Sequence, residues 1–275
     1  MTTLTTHRSG RDSRPARAID DDAPRAGSAR VFLHYTGQSI LTQLRDWAFL
    51  GFVIVMPTTI YLFFASIYGD EGTDSGFNVA ALMMVMMATY GGLGAAMNAG
   101  SQIQSERSSG WFRQLMLTSL TPAQFVAAKV ITAVAVVIPA IVTVFIAGAA
   151  RGVRLDAGSW AASLGLIVAS LLPMVVFGLV IALWFKPQTA TAATTLAMLV
   201  LAMLGGLWFP LDMMPEAMQT VGRTLPSYWA NQIGSWPLTG GDFPWQGVWV
   251  LGCWLLALVV IGALGYRRAI RTSRR

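Results

Sequence analysis

Residues 47–68, WAFLGFVIVMPTTIYLFFASIY, hold not one charged side chain. About 20 apolar residues rising about 1.5 Å each cross a hydrocarbon layer of about 30 Å. Backbone in lipid must satisfy its own hydrogen bonds, and a helix does so within one segment. Five more such runs follow, at about residues 79–102, 123–150, 159–184, 188–208 and 246–266. The chain therefore reads as an all-α integral membrane protein with six transmembrane helices. Only 12% of its residues are charged, against about 25% in soluble domains.

The positions of those charges set the orientation. A net charge of +6 suggests nucleic acid until the basic residues are located. Seven precede the first span, three lie between spans two and three (Lys129 included), Lys186 sits between spans four and five, and five close the chain. The other segments hold only Arg151, Arg154 and Arg223. Basic loops stay on the cytoplasmic side, so both ends are expected there, with no nucleic-acid partner. Residues 1–30 are Arg-, Asp- and Pro-rich and read as a disordered basic cytoplasmic tail, without the apolar core of a cleaved signal peptide. Residues 31–268 form the six-span domain and 269–275 a second basic tail.

Within that domain, residues 38–48 pattern as a short interfacial helix, with Ile40, Leu41, Leu44 and Trp47 on one face. Pro57 is expected to kink span one. In span two, Gly92, Ala96 and Gly100 recur every fourth residue, the spacing that lets helices approach closely. Met83, Met84, Met86 and Met87 fit ordinary packing or an adaptable apolar passage.

The segment between spans two and three is the longest basic, helix-patterned interruption. At helical spacing Trp111, Phe112, Leu115 and Met116 share a face, opposite Glu106, Arg107, Arg113 and Gln114. Gly110 weakens the start of that helix. Thr121, Pro122 and Gln124 carry the signature of a new helix start. The pattern fits a helix lying on the inner membrane surface. It fits equally an element that receives a partner and one that only anchors the chain.

On the other side, residues 205–245 are too polar to span. Met214, Ala217, Met218, Val221 and Leu225 nevertheless fall at helical spacing, and Pro215 and Pro226 are placed to open helices. One or two short helices dipping into the outer leaflet are expected, with Trp208, Tyr228, Trp229, Trp236 and Trp245 at headgroup level.

Chemistry is sparse. There is no GxxxxGK[ST] phosphate loop, and no Ser/His/Asp set or pair of carboxylates suited to catalysis. One cysteine (Cys253) and two histidines make neither a disulfide nor a metal site. Inside the spans the only Asp, Glu, His, Arg or Lys is Lys129, near one end. Ion-coupled carriers place such groups in mid-membrane, so if this chain moves something, the energy has to arrive from outside the membrane. A membrane-embedded lipid-modifying enzyme and a non-transporting scaffold or immunity protein remain as other readings.

Over about residues 38–268 this order resembles the permease subunits of the ABC transporter type-2 family. The likeness rests on two series. One is Glu106-Arg107, Gly110, the run from Trp111 to Leu120, and Pro122. The other is Gly205-Gly206, Phe209-Pro210, Met214-Pro215 and Leu225-Pro226. The resemblance implies a cytoplasmic coupling helix between spans two and three, carrying Glu106, Arg107, Gly110, Trp111, Phe112, Arg113, Leu115 and Pro122. It implies short outer gate helices around Phe209, Pro210, Met214, Pro215, Leu225 and Pro226. It further implies a bacterial plasma-membrane exporter of a hydrophobic or amphipathic drug, antibiotic or lipid. A second permease copy or paralogue, membrane lipid and an ABC ATPase subunit are the implied partners. ATP and Mg belong on that ATPase, leaving this chain without cofactor, metal or catalytic residue.

Overall fold

The computed structural model describes residues 28–68, 79–108 and 122–273. Among these residues every regular element is helical. Six helices are long and apolar enough to cross a membrane: Trp47–Tyr68, Val79–Gln104, Ala123–Ala150, Ala157–Trp184, Pro187–Leu204 and Trp245–Gly265. They correspond to the six expected runs. Span five ends at Leu204 rather than near residue 208, and the last helix continues to Ser273, carrying most of the second basic tail. The first basic tail, up to residue 27, and the acidic turn of residues 69–78 lie outside the described residues.

Span two is the axis of the bundle. In its membrane-length stretch 83% of residues are buried, against 17% in spans five and six. It packs on spans one, three and four and on the helix Pro226–Thr239. Small side chains make this possible. A Cβ at Gly92 would come within 2.6 Å of Leu171, Ala96 is fully buried, and Gly100 lies against the backbone carbonyl of Gly178. The span is not one straight helix. Val79–Met97 ends at a turn at Asn98, and Ala99–Ser108 resumes beyond it.

Proline shapes two other spans. Pro57 cannot donate to the carbonyl four residues earlier. The turn just before it, Gly51–Val55, is π-helical, and the Thr58 hydroxyl donates to Ile54 O at 2.7 Å. The expected kink is therefore a widened turn, a common resting place for a π-bulge. Span four breaks at Leu171, between Ala157–Ser170 and Leu172–Trp184, with Pro173 in the first turn of the second half. Pro139 sits inside Pro122–Ala150 without ending it.

The short interfacial helix expected at 38–48 is longer and earlier: α1 covers Ser28–Leu44. His34, Thr36 and Gly37 are weak helix formers, which hides its first half. Leu33, Leu41, Leu44 and Trp47 face outward, whereas Tyr35, Thr36, Ser39 and Gln43 are buried. That polar face packs on Pro122–Ala150. A two-residue turn joins α1 to span one, and the Asp46 carboxylate accepts from Phe49 N at 3.1 Å to cap the new helix.

After span five the chain turns at Gly206, whose φ of 72° suits glycine. It then forms a short 3-10 turn (Leu211–Met213) and the helices Glu216–Gly222 and Pro226–Thr239. The second does more than rest on the membrane surface. It wedges between span two, the first half of span four and span six. Trp229, Ala230 and Ile233 are buried, Ser163 Oγ donates to Gly234 O and Ser227 Oγ to Leu201 O, both at 2.6 Å. Trp229 is thus a packing residue, its indole N–H donating to Arg223 O at 2.8 Å, not a headgroup anchor. Trp245 remains outward-facing.

Candidate functional site

Two features lie toward the end of the bundle where span two runs out and span three begins. The first is a charge cluster. Glu106 stands in the last turn of Ala99–Ser108 and Lys129 in the second turn of Pro122–Ala150, so the two flank the connecting segment of residues 109–121. Lys129 Nζ lies 2.7 Å from Glu106 Oε1. The lysine side chain is 1% exposed and the glutamate side chain 19%. An ammonium that far from water needs a charged partner beside it.

α1 supplies the third member. The Tyr35 hydroxyl donates to the same carboxylate, 3.0 Å from either oxygen. Lys129 Nζ also lies 5.2 Å from the centre of the Tyr35 ring and 5.7 Å from that of Phe125, within cation–π range. Burial first, then the Glu106 charge, pushes the Tyr35 phenol well above its ordinary value, so it stays a donor at physiological pH. One carboxylate thereby ties three elements together: α1, the extension of span two and the start of span three. Close by, Gln104 Nε2 donates to Phe185 O at 3.4 Å, linking span two to the turn between spans four and five.

The second feature is a cleft of about 150 Å³ between spans one, two, four and five. Phe49, Phe52 and Val53 form one wall, and Thr191, Thr194, Thr195 and Met198 of span five face it. Asn98, at the break in span two, and Gln104, beyond it, line the cleft, and Gly100 and Gly178 contribute backbone. Among the described residues no charged side chain lines it. It can receive apolar groups and offer hydroxyl and amide hydrogen bonds, but it cannot neutralise an ion.

Of the residues expected on the coupling helix, Glu106 is the one whose side chain is described. Arg107 lies in the helix Ala99–Ser108 and Pro122 opens the helix of span three. Gly110, Trp111, Phe112, Arg113 and Leu115 lie outside the described residues. The outer gate residues belong to the opposite end, beyond Leu204. Phe209 is half-exposed, with its ring 6.2 Å from Phe64 of span one in an edge contact. Pro210, Met214 and Pro215 lead into the 3-10 turn and the helix Glu216–Gly222, and Leu225 and Pro226 start Pro226–Thr239. Among the described residues no three His, Cys, Asp or Glu side chains gather as metal ligands.

Sequence reasoning located Lys129 without seeing its partner and passed over Tyr35. For the first a signal existed: Glu106 is the one acid in residues 79–150, and Lys129 is the one charged residue within the spans. For Tyr35 there was none, because its role depends on how α1 folds back.

The model of the ABC-2 type transporter family matches residues 30–236. A protein of Bacillus subtilis (strain 168) named transport permease YvfS is 28% identical over 221 residues, covering 79% of this chain and 89% of its own length. The matched stretch takes in α1, spans one to five, the charge cluster, the cleft and nearly all of Pro226–Thr239. The chain belongs to the ABC-2 type transporter family, as a multi-pass membrane permease.

Proposed function

We propose that this permease is the membrane subunit of an ATP-driven exporter in the bacterial plasma membrane, and that it moves a hydrophobic or amphipathic molecule such as a drug, antibiotic or lipid. Both ends of the chain lie in the cytoplasm, on the basic side. ATP and Mg bind a separate ATPase subunit, which docks on the segment of residues 109–121 through Trp111, Phe112, Arg113 and Leu115. A second permease, identical or related, completes the pathway.

The observation that carries this reading is the Glu106–Lys129 pair, which closes the base of that one segment while the spans hold no other charge. A docking loop can transmit force only if its ends are fixed, and the pair holds them together at 2.7 Å. Closure of the ATPase subunits pushes the segment, and the push reaches span two through Glu106. The half of span two below Asn98 moves against span four across Gly100 and Gly178, where no side chains interlock. The cleft between spans one, two and five changes its opening as a result. Its apolar wall binds the body of the cargo and its threonines and amides the polar part. At the far end Phe209, Pro210, Met214, Pro215, Leu225 and Pro226 shape the exit.

The test is co-expression with an ATPase subunit bearing a GxxxxGK[ST] loop, followed by purification through the permease. The ATPase is expected to co-purify, to be lost on Trp111→Ala or Arg113→Glu, and to be retained on Arg223→Glu. A permease that moves cargo without any nucleotide-hydrolysing companion overturns the reading.

A further inference from the structure

We propose that the loop of residues 240–244 and the first turns of span six form a binding site for the headgroup of an aminophospholipid. The Asp242 carboxylate takes its ammonium, and the indoles of Trp245 and Trp249 serve its phosphate. The site lies at one end of the last span and does not depend on the exporter reading.

The loop is held in shape from within. Gly240 and Gly241 take φ values of 65° and 79°, which suit glycine. Gly240 N donates to Trp236 O at 2.9 Å, and the Trp236 indole N–H donates to Gly241 O at 3.0 Å. Trp245 N donates to Phe243 O at 2.8 Å. The Phe243 ring meets two indoles edge to face, 5.1 Å from Trp236 and 4.9 Å from Trp245. Asp242 is therefore presented from a fixed turn beside an aromatic stack.

The groups left without partners there are complementary to a zwitterion. Among the described residues the exposed Asp242 carboxylate has neither a hydrogen bond nor an ion pair. Trp245 and Trp249, one turn apart on one face of span six, are 67% and 76% exposed. The neighbouring indoles of Trp229, Trp236 and Trp254 donate to the carbonyls of Arg223, Gly241 and Thr224. Those of Trp245 and Trp249 donate to nothing among the described residues.

An ammonium is attracted both by a carboxylate and by the face of an indole. An indole N–H can only donate, which suits a phosphate or ester oxygen. Phosphatidylethanolamine carries its ammonium a short link from its phosphate and meets all of these groups. Phosphatidylglycerol brings no cation and sets a second negative charge beside Asp242. Tryptophans at a membrane boundary anchor a span in any lipid, and an acid near a helix start is favourable in itself. Neither role distinguishes one headgroup from another, so the experiment reads headgroup choice.

Cys253 provides a local probe. It is the chain's one cysteine, is exposed, and follows Trp249 by one turn on the same face, about 12 Å along the helix from Trp245. The full chain, with a fluorophore on Cys253, is reconstituted in vesicles of phosphatidylethanolamine and phosphatidylglycerol in equal amounts. Quenching is measured with a nitroxide on the acyl chain of one lipid and then of the other. The phosphatidylethanolamine probe is expected to quench as if enriched about fivefold, the upper effect of one exposed ion pair. Asp242→Asn is expected to bring the two probes level. Trp245→Leu keeps an apolar anchor and is expected to lower the enrichment about twofold. Glu216→Gln, at an exposed acid of the helix Glu216–Gly222, is expected to leave it unchanged. Equal quenching by the two lipids in the parent overturns the proposal. So does an enrichment that survives Asp242→Asn or Trp245→Leu in full, or one that falls as far in Glu216→Gln.

Discussion

Gly100 and Gly178 meet backbone to backbone. A Cβ on the first would fall on the carbonyl of Gly178, and a Cβ on the second on the carbonyl of Met97. Neither helix can retreat easily, because span two is enclosed on several sides at once. Gly178→Ala is therefore expected to destabilise the protein by about 3 kcal/mol, the upper end of the cost of overpacking. Gly165→Ala is the control. Nothing lies within 4 Å of its new Cβ, so its unfolding midpoint in detergent is expected to stay level or rise slightly. Equal losses in the two variants would remove the close crossing as the cause.

The charge cluster predicts an asymmetry. Glu106→Gln strands an ammonium whose side chain is 1% exposed, whereas Lys129→Met leaves a carboxylate that is 19% exposed and still accepts from Tyr35. The first is expected to cost about 3–5 kcal/mol and the second about 1–3 kcal/mol. The double variant Glu106→Gln, Lys129→Met is expected to recover much of the loss, since no charge is then left unpaired. Thermal unfolding of the three purified variants checks the order.

The Tyr35 phenol adds a dependence on pH. Its folded value is raised above the ordinary 10.0, so its contribution is complete below pH 10 and is lost as pH climbs toward the folded value. Between pH 6 and pH 9, wild type and Tyr35→Phe are expected to hold a constant difference in stability. Above pH 10 the wild type is expected to lose stability faster, until the two converge. Melting curves over that range decide it; a difference that changes near neutrality would assign the titration to another group.

The buried serines make a smaller prediction. Ser163 Oγ and Ser227 Oγ each donate to a backbone carbonyl at 2.6 Å in places closed to water. Ser163→Ala and Ser227→Ala are each expected to cost about 1 kcal/mol. Their effects are expected to add, because Ser163 fastens Pro226–Thr239 to span four and Ser227 fastens it to span five. Unfolding of the two single variants and the double variant tests both claims.

On the proposed reading, in which the permease moves a hydrophobic or amphipathic molecule, the lining of the cleft bears on which cargo is taken. Thr194 of span five is half-buried and faces an apolar wall. Thr194→Val keeps the shape and removes the hydroxyl, so insertion and ATPase binding are expected to be unchanged. Export of cargo bearing hydroxyl or amide groups is expected to fall about tenfold, with purely apolar cargo unaffected. Uptake of a compound panel into inverted vesicles measures the difference.

How much of this was legible in the sequence follows from which forces act locally. The six spans were legible because each must be apolar along its whole length to sit in lipid, whatever its neighbours do. Their interruptions were less so. Pro57 announced a distortion but not that Gly51–Val55 would widen, and Asn98 gave no sign of ending a helix. The helix Pro226–Thr239 looked like a surface element because its sequence is mixed. Its Trp229, Ser227 and Gly234 make sense only beside Arg223, Leu201 and Ile167. The charge cluster combined the two cases. Glu106 and Lys129 stand out in a chain with few charges, but Tyr35 depends on a tertiary contact that no local pattern encodes.

The widened turn at Gly51–Val55 puts the two parts of span one out of phase. A π turn holds one residue more than an α turn, so side chains on either side of it are rotated by about 100° relative to an unbroken helix. Tyr61 and Ala65 are sealed inside the protein, while Phe49 and Phe52, before or within the turn, look onto the cleft. Rewinding that single turn to α geometry would swivel the aromatic segment by about a quarter of a circle and leave the sealed half where it is. Span one thus changes phase at the depth of the cleft.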